Sequence, residues 1–234
     1  MPDKWFFVQT SRITIITGHY GSGKTEFAVS LATLLAKETT EKISLVDLDI
    51  VNPYFRSRER RRTLEESGVD VYGSAYAYEV TAEMPALGAD IRAPLEDRTR
   101  RVIVDAGGNG AGALVLNQFT KYFLKGDSSA LAVVNANRPD TSSVDGALEH
   151  IAAIELATGL TVDGVVNNCH MLRETTAGDI AKGHELCEAI CSATGKTLLC
   201  DCYPAGIVDP GDLRGLSANL MPMGLHMRPT WLDK

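Results

Sequence analysis

One eight-residue segment constrains this chain more than any other part of its sequence. It reads GHYGSGKT, from Gly18 to Thr25, and it follows an apolar run rich in isoleucine. A glycine, four residues and then Gly-Lys-Thr is the spacing of a phosphate-binding loop between a strand and a helix. Glycines allow the tight turn that aims successive backbone N–H groups at one anion. The sequence therefore predicts a strand, an anion-binding loop and a helix, in that order.

The side chains of this loop predict how it holds a nucleotide. Lys24 should reach the β- and γ-phosphate oxygens, and the Thr25 hydroxyl should ligate Mg²⁺. The positive end of the helix that begins near Lys24 strengthens the attraction for anions. The predicted nucleotide contacts in and beside the loop are Gly18, His19, Tyr20, Gly21, Ser22, Gly23, Lys24, Thr25 and Glu26.

The rest of the chain alternates short apolar runs with amphipathic stretches, which is the pattern of βα units around a parallel sheet. No internal repeat or linker interrupts this pattern, so we predict a single domain over residues 1–234. The segment 81–100 fits neither pattern and is predicted to be a lid or connection. The predicted strands are 12–17, 43–47, 69–72, 101–105, 130–135, 162–167 and 196–200. The predicted helices are 24–38, 55–67, 113–124, 142–158 and 176–193.

The composition narrows the class of protein further. The chain has 234 residues and a formal net charge of -7, which argues against sequence-independent binding of nucleic acid. A chain of this length buries enough surface to fold without disulfides or a structural metal. Its apolar runs fall far short of the ~20 residues that span a bilayer, and its five cysteines form no regular framework. We expect a cytoplasmic protein with no membrane span.

Acidic residues close two of the predicted strands. LVDLDIVNP places Asp47 and Asp49 at the end of the second strand, and RVIVDAGGNGAG places Asp105 before a run of glycines. In open α/β sheets, ligands bind at this edge. An aspartate that closes an apolar strand beside a phosphate loop is a predicted Mg²⁺ ligand.

These residues together resemble the MinD/ParA class of P-loop ATPases, which includes the nitrogenase iron protein and dethiobiotin synthetase. GHYGSGKTEFA and DLDIVNPYFRSRE are similar to stretches of bacterial ATP-binding proteins with a CobQ/CobB/MinD/ParA nucleotide-binding domain. The resemblance covers roughly residues 12–212. It implies a three-layer α/β/α P-loop NTPase fold with a mostly parallel sheet of seven or eight strands. It also implies ATP with Mg²⁺, and often a nucleotide-dependent dimer.

The resemblance also assigns expected roles to individual acidic and glycine residues. Asp49 matches the switch-I aspartate that positions the attacking water, and Asp47 would lie near the Mg²⁺. Asp105 matches the Walker-B aspartate, and Gly108 matches the switch-II glycine. The expected catalytic set is therefore Lys24, Asp49 and Asp105, and the expected metal set is Thr25, Asp47 and Asp105.

Two further positions match residues that hold the base in this class. Asn167 or Asn168, in GVVNNCH, matches an asparagine that reads the adenine edge, and Pro204 lies where the class closes over the base. An asparagine side chain offers a donor and an acceptor, which suits adenine. Guanine specificity would call for an Asn-Lys-x-Asp pattern, which the sequence lacks. The resemblance and these residues favour ATP.

The chain departs from the class at the start of the loop. The class has a second lysine directly after the first glycine, and this lysine reaches a partner's nucleotide across a dimer. Here His19 occupies that position, and Tyr20 replaces the following glycine. Histidine can be neutral at pH 7 and is a poor substitute for a fixed charge. The contact that links the class's dimer is therefore missing, and a homodimer stays an open alternative.

Two other groups of residues have an ordinary explanation as well as a functional one. Five arginines lie close together between residues 56 and 62. Charge patterning favours a solvated helix face for them, although Arg56 or Arg58 could instead contact phosphate or a partner. The cysteines include no C-x-x-C pair, so buried free thiols are favoured over a metal site. The arginines are Arg56, Arg58, Arg60, Arg61 and Arg62, and the cysteines are Cys169, Cys187, Cys191, Cys200 and Cys202.

The leading hypothesis is a Mg²⁺-dependent ATPase that acts as a nucleotide-dependent switch on an unknown protein partner. The alternative is an ATP-dependent ligase or kinase of the dethiobiotin synthetase/CobQ type, whose small-molecule substrate would contact Asn135, Arg138 and the segment 81–100. A third possibility is a nucleotide-binding module with little hydrolysis, since His19 replaces the lysine.

Overall fold

Eight parallel strands form one sheet in the computed structural model, which describes residues 11–49, 61–73, 88–108, 110–123, 126–216 and 219–227. Their order across the sheet is β3-β2-β4-β1-β5-β6-β7-β8, and every described pairing is parallel. The strands are β1 (Ile13–Thr17), β2 (Lys42–Asp47), β3 (Val69–Gly73), β4 (Arg100–Asp105), β5 (Ser128–Val134), β6 (Gly164–Asn167), β7 (Thr197–Pro204) and β8 (Leu220–Met223).

Helices flank both faces of this sheet. Two of them begin at side-chain caps: Ser143 accepts a hydrogen bond from the Gly146 N–H, and Thr176 forms a capping box with Asp179. The α-helices are α1 (Lys24–Glu38), α2 (Arg61–Glu66), α3 (Gly88–Glu96), α4 (Gly110–Ala113), α5 (Thr120–Phe123), α6 (Val144–Thr158) and α7 (Ala177–Thr194). Short 3₁₀ helices cover Leu114–Phe119, Pro139–Thr141, Leu172–Glu174 and Pro210–Leu213.

The core lies on both sides of the sheet, because successive residues of a strand face opposite ways. On one face, Ile16 packs in a cluster with Phe27 of α1. On the other face, Ile15 packs in a cluster with Phe119. All four side chains are fully buried. This arrangement confirms the predicted α/β class with helices on both faces, and the sheet has eight strands.

Three elements differ from the sequence prediction. β8 was not predicted, because LMPM contains no β-branched residue and Pro222 reads as a strand breaker; β8 is the outermost strand, where proline is tolerated. α3 lies within the segment 81–100, which was predicted to be a lid or connection. Gly88 and Pro94 disfavour a helix in the sequence, but the buried side chains of Ile91 and Leu95 pack α3 against the core. The predicted helix 113–124 is divided into α4, a 3₁₀ helix and α5.

The topology collects the predicted site residues at one edge of the sheet. β1 lies between β4 and β5, and all three strands run in the same direction. The segments that follow parallel strands meet at the carboxyl edge, where α/β sheets bind ligands. In the described part of the chain, no helix has both the length and the apolar character needed to cross a bilayer.

Candidate functional site

The loop after β1 has the backbone geometry that its glycines predict. Gly21 and Gly23 have φ angles of 75° and 81°, in the left-handed region that other residues rarely adopt. Gly23 is also the N-cap of α1, and no side chain caps this helix. The N–H groups in the first turn of α1 therefore lie next to the loop, and no side chain of the N-cap residue accepts a hydrogen bond from them. This is the arrangement of an anion-binding site.

Side chains from the segments after β5 and β6 hold the carbonyl groups of this loop. Arg138 Nε donates to the Gly21 carbonyl oxygen at 2.8 Å, and Asn168 Nδ2 donates to the Ser22 carbonyl oxygen at 2.8 Å. Asn135 Nδ2 makes a longer contact of 3.5 Å with the Gly21 oxygen. These contacts hold the Gly21 and Ser22 carbonyl groups and so help to fix the conformation of the loop.

A buried ion pair lies directly beside the loop. Lys24 Nζ is 2.7 Å from Asp49 Oδ2, and the two side chains are only 4% and 2% exposed. The Asp49 N–H donates to Asp47 Oδ1 at 3.1 Å. Burial alone lowers the pKa of Lys24, but the carboxylates of Asp105, Asp49 and Asp47 outweigh it and raise this pKa above its usual value. Lys24 therefore stays charged in a strongly acidic surrounding.

Asp105, at the end of β4, is the least satisfied carboxyl group of the site. It is buried, and neither of its oxygens makes a hydrogen bond of normal geometry within the part of the chain that the structure describes; the Thr25 hydroxyl is the polar group that lies close enough to lower its pKa. Burial raises the pKa of Asp105 to about 7, Lys24 partly offsets this rise, and Asp47 adds to it. A buried carboxyl group without a partner is costly, so it marks a place for a positively charged ligand.

The donor set around Asp105 fits Mg²⁺. Asp105 and Asp47 supply carboxylate oxygens, and the buried Thr25 hydroxyl is close enough to lower the Asp105 pKa. Mg²⁺ is bound in nucleotide sites by one or two protein oxygens together with phosphates and waters, rather than by a protein cage. The described residues contain no group of three or more His, Cys, Asp or Glu side chains placed to hold a metal by themselves.

A cavity of about 350 Å³ opens next to the loop. Asn168 and Pro204, two of the predicted base contacts, line it together with Lys24 and Thr25. Asn167 does not line it: its buried Nδ2 donates to the Ile180 carbonyl oxygen and to Asp201 Oδ1, at 2.9 and 2.7 Å. Of the two asparagines that the sequence offers, Asn168 is the one that reaches the cavity.

One wall of the cavity was not predicted from the sequence. Residues 224, 225 and 227, which follow β8, line it. Glu26, in the first turn of α1, holds this segment, because its carboxylate accepts the N–H groups of His226 and Met227 at 2.5 and 2.9 Å. The weak strand pattern of β8 gave no signal that this distant segment returns to α1. Glu26 is therefore placed to shape the cavity through the backbone.

Gly108 packs directly on the phosphate loop. A Cβ added to Gly108 would lie 2.8 Å from the Gly18 carbonyl oxygen and 3.0 Å from the Tyr20 nitrogen, both backbone atoms. The segment after β4 and the phosphate loop are therefore in contact.

We expect the substitution Gly108→Ala to lower the free energy of unfolding by about 1–3 kcal/mol, because the methyl group displaces loop backbone. Gly178→Ala is the matched control, since its nearest atom is Thr176 Oγ1 at 3.6 Å. The control should be neutral or stabilising by about 0.5–1 kcal/mol, because Gly178 lies in α7. Urea denaturation of both variants measures the difference. Equal stabilities would show that the contact is not tight.

The two residues that depart from the class motif lie on the outer side of the loop. His19 Nε2 is 3.5 Å from Asp140 Oδ2, and its ring meets the His150 ring edge-on at 5.1 Å. Burial and the neighbouring His19 lower the pKa of His150 to about 4, so His150 is neutral at pH 7. Tyr20 is 56% exposed and lines the mouth of the cavity.

The remaining predicted residues divide between ordinary structural roles and positions outside the described ranges. Cys169, Cys187, Cys200 and Cys202 are buried free thiols, and Cys191 is half-buried. Burial raises the pKa of Cys187 well above its usual value, so this thiol is inert. Residues 51–60, with Arg56, Arg58 and Arg60, and residues 81–87 lie outside the described ranges. Arg61 and Arg62 pair with Glu65 and Glu66 one turn on, at 3.8 and 3.0 Å.

Comparison with solved structures identifies the fold. No protein-family model matches this sequence, and curated proteins give no match either. FtsY from Thermotoga maritima matches with a TM-score of 0.54 and 18% identity, over 80% of this chain and 59% of that chain. FtsY from Mycoplasma mycoides gives 0.53 and 15%, over 82% and 60%, and chloroplast FtsY from Physcomitrella patens gives 0.52 and 14%, over 80% and 57%. This chain thus spans less than two thirds of the length of these chains.

The fold and the site together define a class. The chain has the α/β fold of a P-loop NTPase, and structurally this fold resembles that of FtsY. At these identities the likeness concerns the fold alone, so the nucleotide, the metal and the reaction have to be argued from the site.

Proposed function

We propose that this protein binds ATP with Mg²⁺ and hydrolyses it slowly, as a nucleotide-dependent switch of the MinD/ParA type. The observation that carries the proposal is the buried Lys24–Asp49 pair beside Asp105, a buried carboxyl group whose oxygens make no hydrogen bond of normal geometry with the described residues. Such a group of charges is costly for folding, and a nucleotide with its metal would satisfy it. The expected roles of Lys24, Asp49 and Asp105 agree with this arrangement.

Phosphate and Asp49 compete for one ammonium group. Lys24 Nζ donates to Asp49 Oδ2 at 2.7 Å. The anionic oxygens of a bound triphosphate attract the same ammonium, so nucleotide binding weakens this bond. The carboxylate of Asp49 then becomes available to orient a water molecule as the general base. Nucleotide binding is in this way coupled to the release of the Asp49 carboxylate.

Asp105, Asp47 and the Thr25 hydroxyl would hold the Mg²⁺. A bound Mg²⁺ offsets the phosphate charge and stabilises the charge that develops on the transferred group. Asp105 contributes a carboxylate that is already dehydrated and held at the end of a buried strand. The buried Thr25 hydroxyl, in the first turn of α1, lies close to this carboxylate.

Asn168 favours adenine in the cavity. One hydrogen of its Nδ2 is donated to the Ser22 carbonyl oxygen, at 2.8 Å, so its Oδ1 remains as an acceptor and the second Nδ2 hydrogen as a donor. This oxygen can accept a hydrogen bond from the exocyclic amine of adenine, whereas the corresponding O6 of guanine carries no hydrogen. Pro204 and Met223 supply apolar surface for the base.

Calorimetric titration with ATP and GTP, with and without Mg²⁺, tests the proposal. We expect ATP to bind roughly 10- to 100-fold more tightly than GTP, because one buried acceptor loses its partner with guanine. Asp49→Asn should bind ATP but release phosphate roughly 100-fold more slowly, while the exposed Asp145→Asn should behave like the wild type. Absence of nucleotide binding, or unchanged hydrolysis in Asp49→Asn, would contradict the proposal.

Light scattering of Asp49→Asn with ATP and Mg²⁺ then separates the kinds of switch. A doubled mass would support a homodimer that forms without a lysine at position 19. Phosphate release that requires an added small carboxylate would instead point to the ligase or kinase alternative. The predicted second-substrate contacts give that alternative no support: Asn135 is fully buried and bonded within the protein, and Arg138 lines the same cavity as Lys24.

A further inference from the structure

Arg138 lies directly against the phosphate loop. Its Nε donates to the Gly21 carbonyl oxygen at 2.8 Å, and a Cβ added to Gly21 would stand only 2.7 Å from Arg138 Cζ. An arginine side chain carries five N–H donors, and this bond uses one of them. The two terminal nitrogens make no hydrogen bond with any residue of the described ranges. The side chain is exposed and lines the cavity.

Among the charged side chains that line the cavity, Arg138 differs from the others. Lys24 is paired with Asp49, and the Glu26 carboxylate accepts two backbone N–H groups. Arg138 has no carboxylate within salt-bridge distance in the described part of the chain. Its guanidinium is permanently charged and its planar fork matches the oxygens of a phosphate group. The cavity wall therefore carries a positive charge that nothing in the described protein neutralises.

Hydrogen bonds of the surrounding backbone fix the position of the Arg138 main chain. The Arg138 N–H donates to the Asn135 carbonyl oxygen at 3.1 Å, and the Arg138 carbonyl accepts the Thr141 N–H at 3.1 Å. The Thr141 hydroxyl also donates to the Asn135 carbonyl oxygen, at 3.0 Å. Pro139 follows directly and begins a 3₁₀ helix. Because this turn is held at several points and the guanidinium is anchored on Gly21, little conformational entropy remains to be lost on binding a ligand.

A second donor without a partner lies beside Arg138. The Nε2 atom of His170 is buried and has no hydrogen-bond partner in the described ranges, and a Cβ on Gly23 would lie 3.0 Å from it. The other ring nitrogen, Nδ1, accepts the Leu172 N–H at 3.4 Å. Burial and the positive charge of Arg138 lower the pKa of His170 to about 4, so the neutral ring carries its proton on Nε2. Arg138 and His170 thus present hydrogen-bond donors on the same side of the cavity, which favours a ligand with several oxygen acceptors.

We propose that Arg138 binds a phosphate group of the nucleotide through its terminal nitrogens while its Nε stays on the Gly21 carbonyl. The inference rests on the proposed function, because it requires a nucleotide in this cavity. Arg138 then acts twice: it holds the phosphate loop, and it adds to Lys24 a second positive charge from the same chain. Its removal should weaken binding in proportion to the phosphate charge of the ligand and leave the base contacts intact.

Three variants separate charge from loop support. Arg138→Gln removes the charge, and Arg138→Lys keeps the charge but loses the planar fork. Arg98→Gln is the matched control, because Arg98 is an exposed arginine at the opposite, amino-terminal edge of the sheet, 3.7 Å from Asp127. Dissociation constants are measured by calorimetry for ATP and for inorganic tripolyphosphate, from about 50 to about 300 mM NaCl. Thermal unfolding of each variant confirms that it is folded.

In Arg138→Gln we expect ATP and tripolyphosphate to bind roughly 10- to 100-fold more weakly, the cost of a charge-assisted hydrogen bond. The salt dependence of both affinities should become flatter, since one ion pair is lost. Arg138→Lys should retain the wild-type salt dependence, and Arg98→Gln should match the wild type throughout.

Two results would overturn the inference. If Arg138→Gln binds more weakly but keeps the wild-type salt dependence, Arg138 only supports the loop and does not contact phosphate. If its affinities equal those of the wild type, it has neither role. Wild-type protein that binds neither ATP nor tripolyphosphate would refute the proposed function itself, and this result is distinct because it does not depend on any variant.

Discussion

Replacing Asp105 with asparagine should stabilise the ligand-free protein at alkaline pH while abolishing Mg²⁺-dependent hydrolysis. Burial raises the pKa of Asp105 to about 7 from its usual 3.8. Between these two values the folded state binds more protons than the unfolded state, so the free energy of unfolding falls as the pH rises from about 4 to about 7. At 1.36 kcal/mol for each pKa unit, the wild type loses about 4 kcal/mol or less over this range. The asparagine variant avoids this loss.

Urea denaturation in the presence of EDTA measures this difference. At about pH 4 the two proteins should have similar stability, and at about pH 8 Asp105→Asn should be more stable by about 1–4 kcal/mol, the lower values applying if the buried amide lacks partners. Asp145→Asn, an exposed residue in the first turn of α6, is the control and should show no such pH-dependent gain. A difference that is the same at both pH values would show that the charge on Asp105 is already compensated.

The second large effect is expected at Lys24. Replacing Lys24 with methionine leaves Asp49 in a buried site with Asp47 and Asp105 and without the ammonium that holds them together. Breaking a buried ion pair from one side costs about 3–5 kcal/mol, and we expect the free energy of unfolding to fall by this amount. ATP affinity should fall roughly 100-fold or more, since the phosphates lose a buried cation.

The double variant Lys24→Met/Asp49→Asn separates the two consequences. It removes both charges, so much of the lost stability should return, while ATP binding should remain weak. Chemical denaturation and calorimetric titration of the two single variants and the double variant complete the cycle. If the double variant is as unstable as the sum of the single variants, the Lys24–Asp49 bond contributes little, and the competition between phosphate and Asp49 would have to be abandoned.

The sequence predicted those elements whose signals lie in neighbouring residues, such as α1 and the acidic ends of β2 and β4. The helix predicted over residues 24–38 coincides with α1 (Lys24–Glu38), because the Gly-Lys-Thr motif marks its start and its apolar spacing marks its face. The positions of Asp47 and Asp105 at the ends of β2 and β4 also followed from apolar runs that end in an acidic residue. Each of these features depends on residues that are close together in the sequence.

Contacts between distant segments could not be predicted in this way. The bond from Asn168 to the Ser22 carbonyl joins residues 146 positions apart, and the bond from Arg138 to Gly21 joins residues 117 apart. Their side chains can serve several purposes, and the order β1-β5-β6 in the sheet brings the segments after β5 and β6 to the loop that follows β1. The sequence also could not show which of Asn167 and Asn168 lines the cavity. Asn167 is held in the core by its hydrogen bonds to the Ile180 carbonyl oxygen and Asp201 Oδ1.

The bond between Glu26 and the Met227 N–H spans 201 residues, which bears on how the cavity is assembled during synthesis. The phosphate loop leaves the ribosome early, but the wall after β8 follows only when nearly all of the described chain has been made. A nascent chain can thus carry the complete motif without a complete cavity. Since domains generally fold as units, retention of nucleotide would mark the completion of folding rather than its beginning.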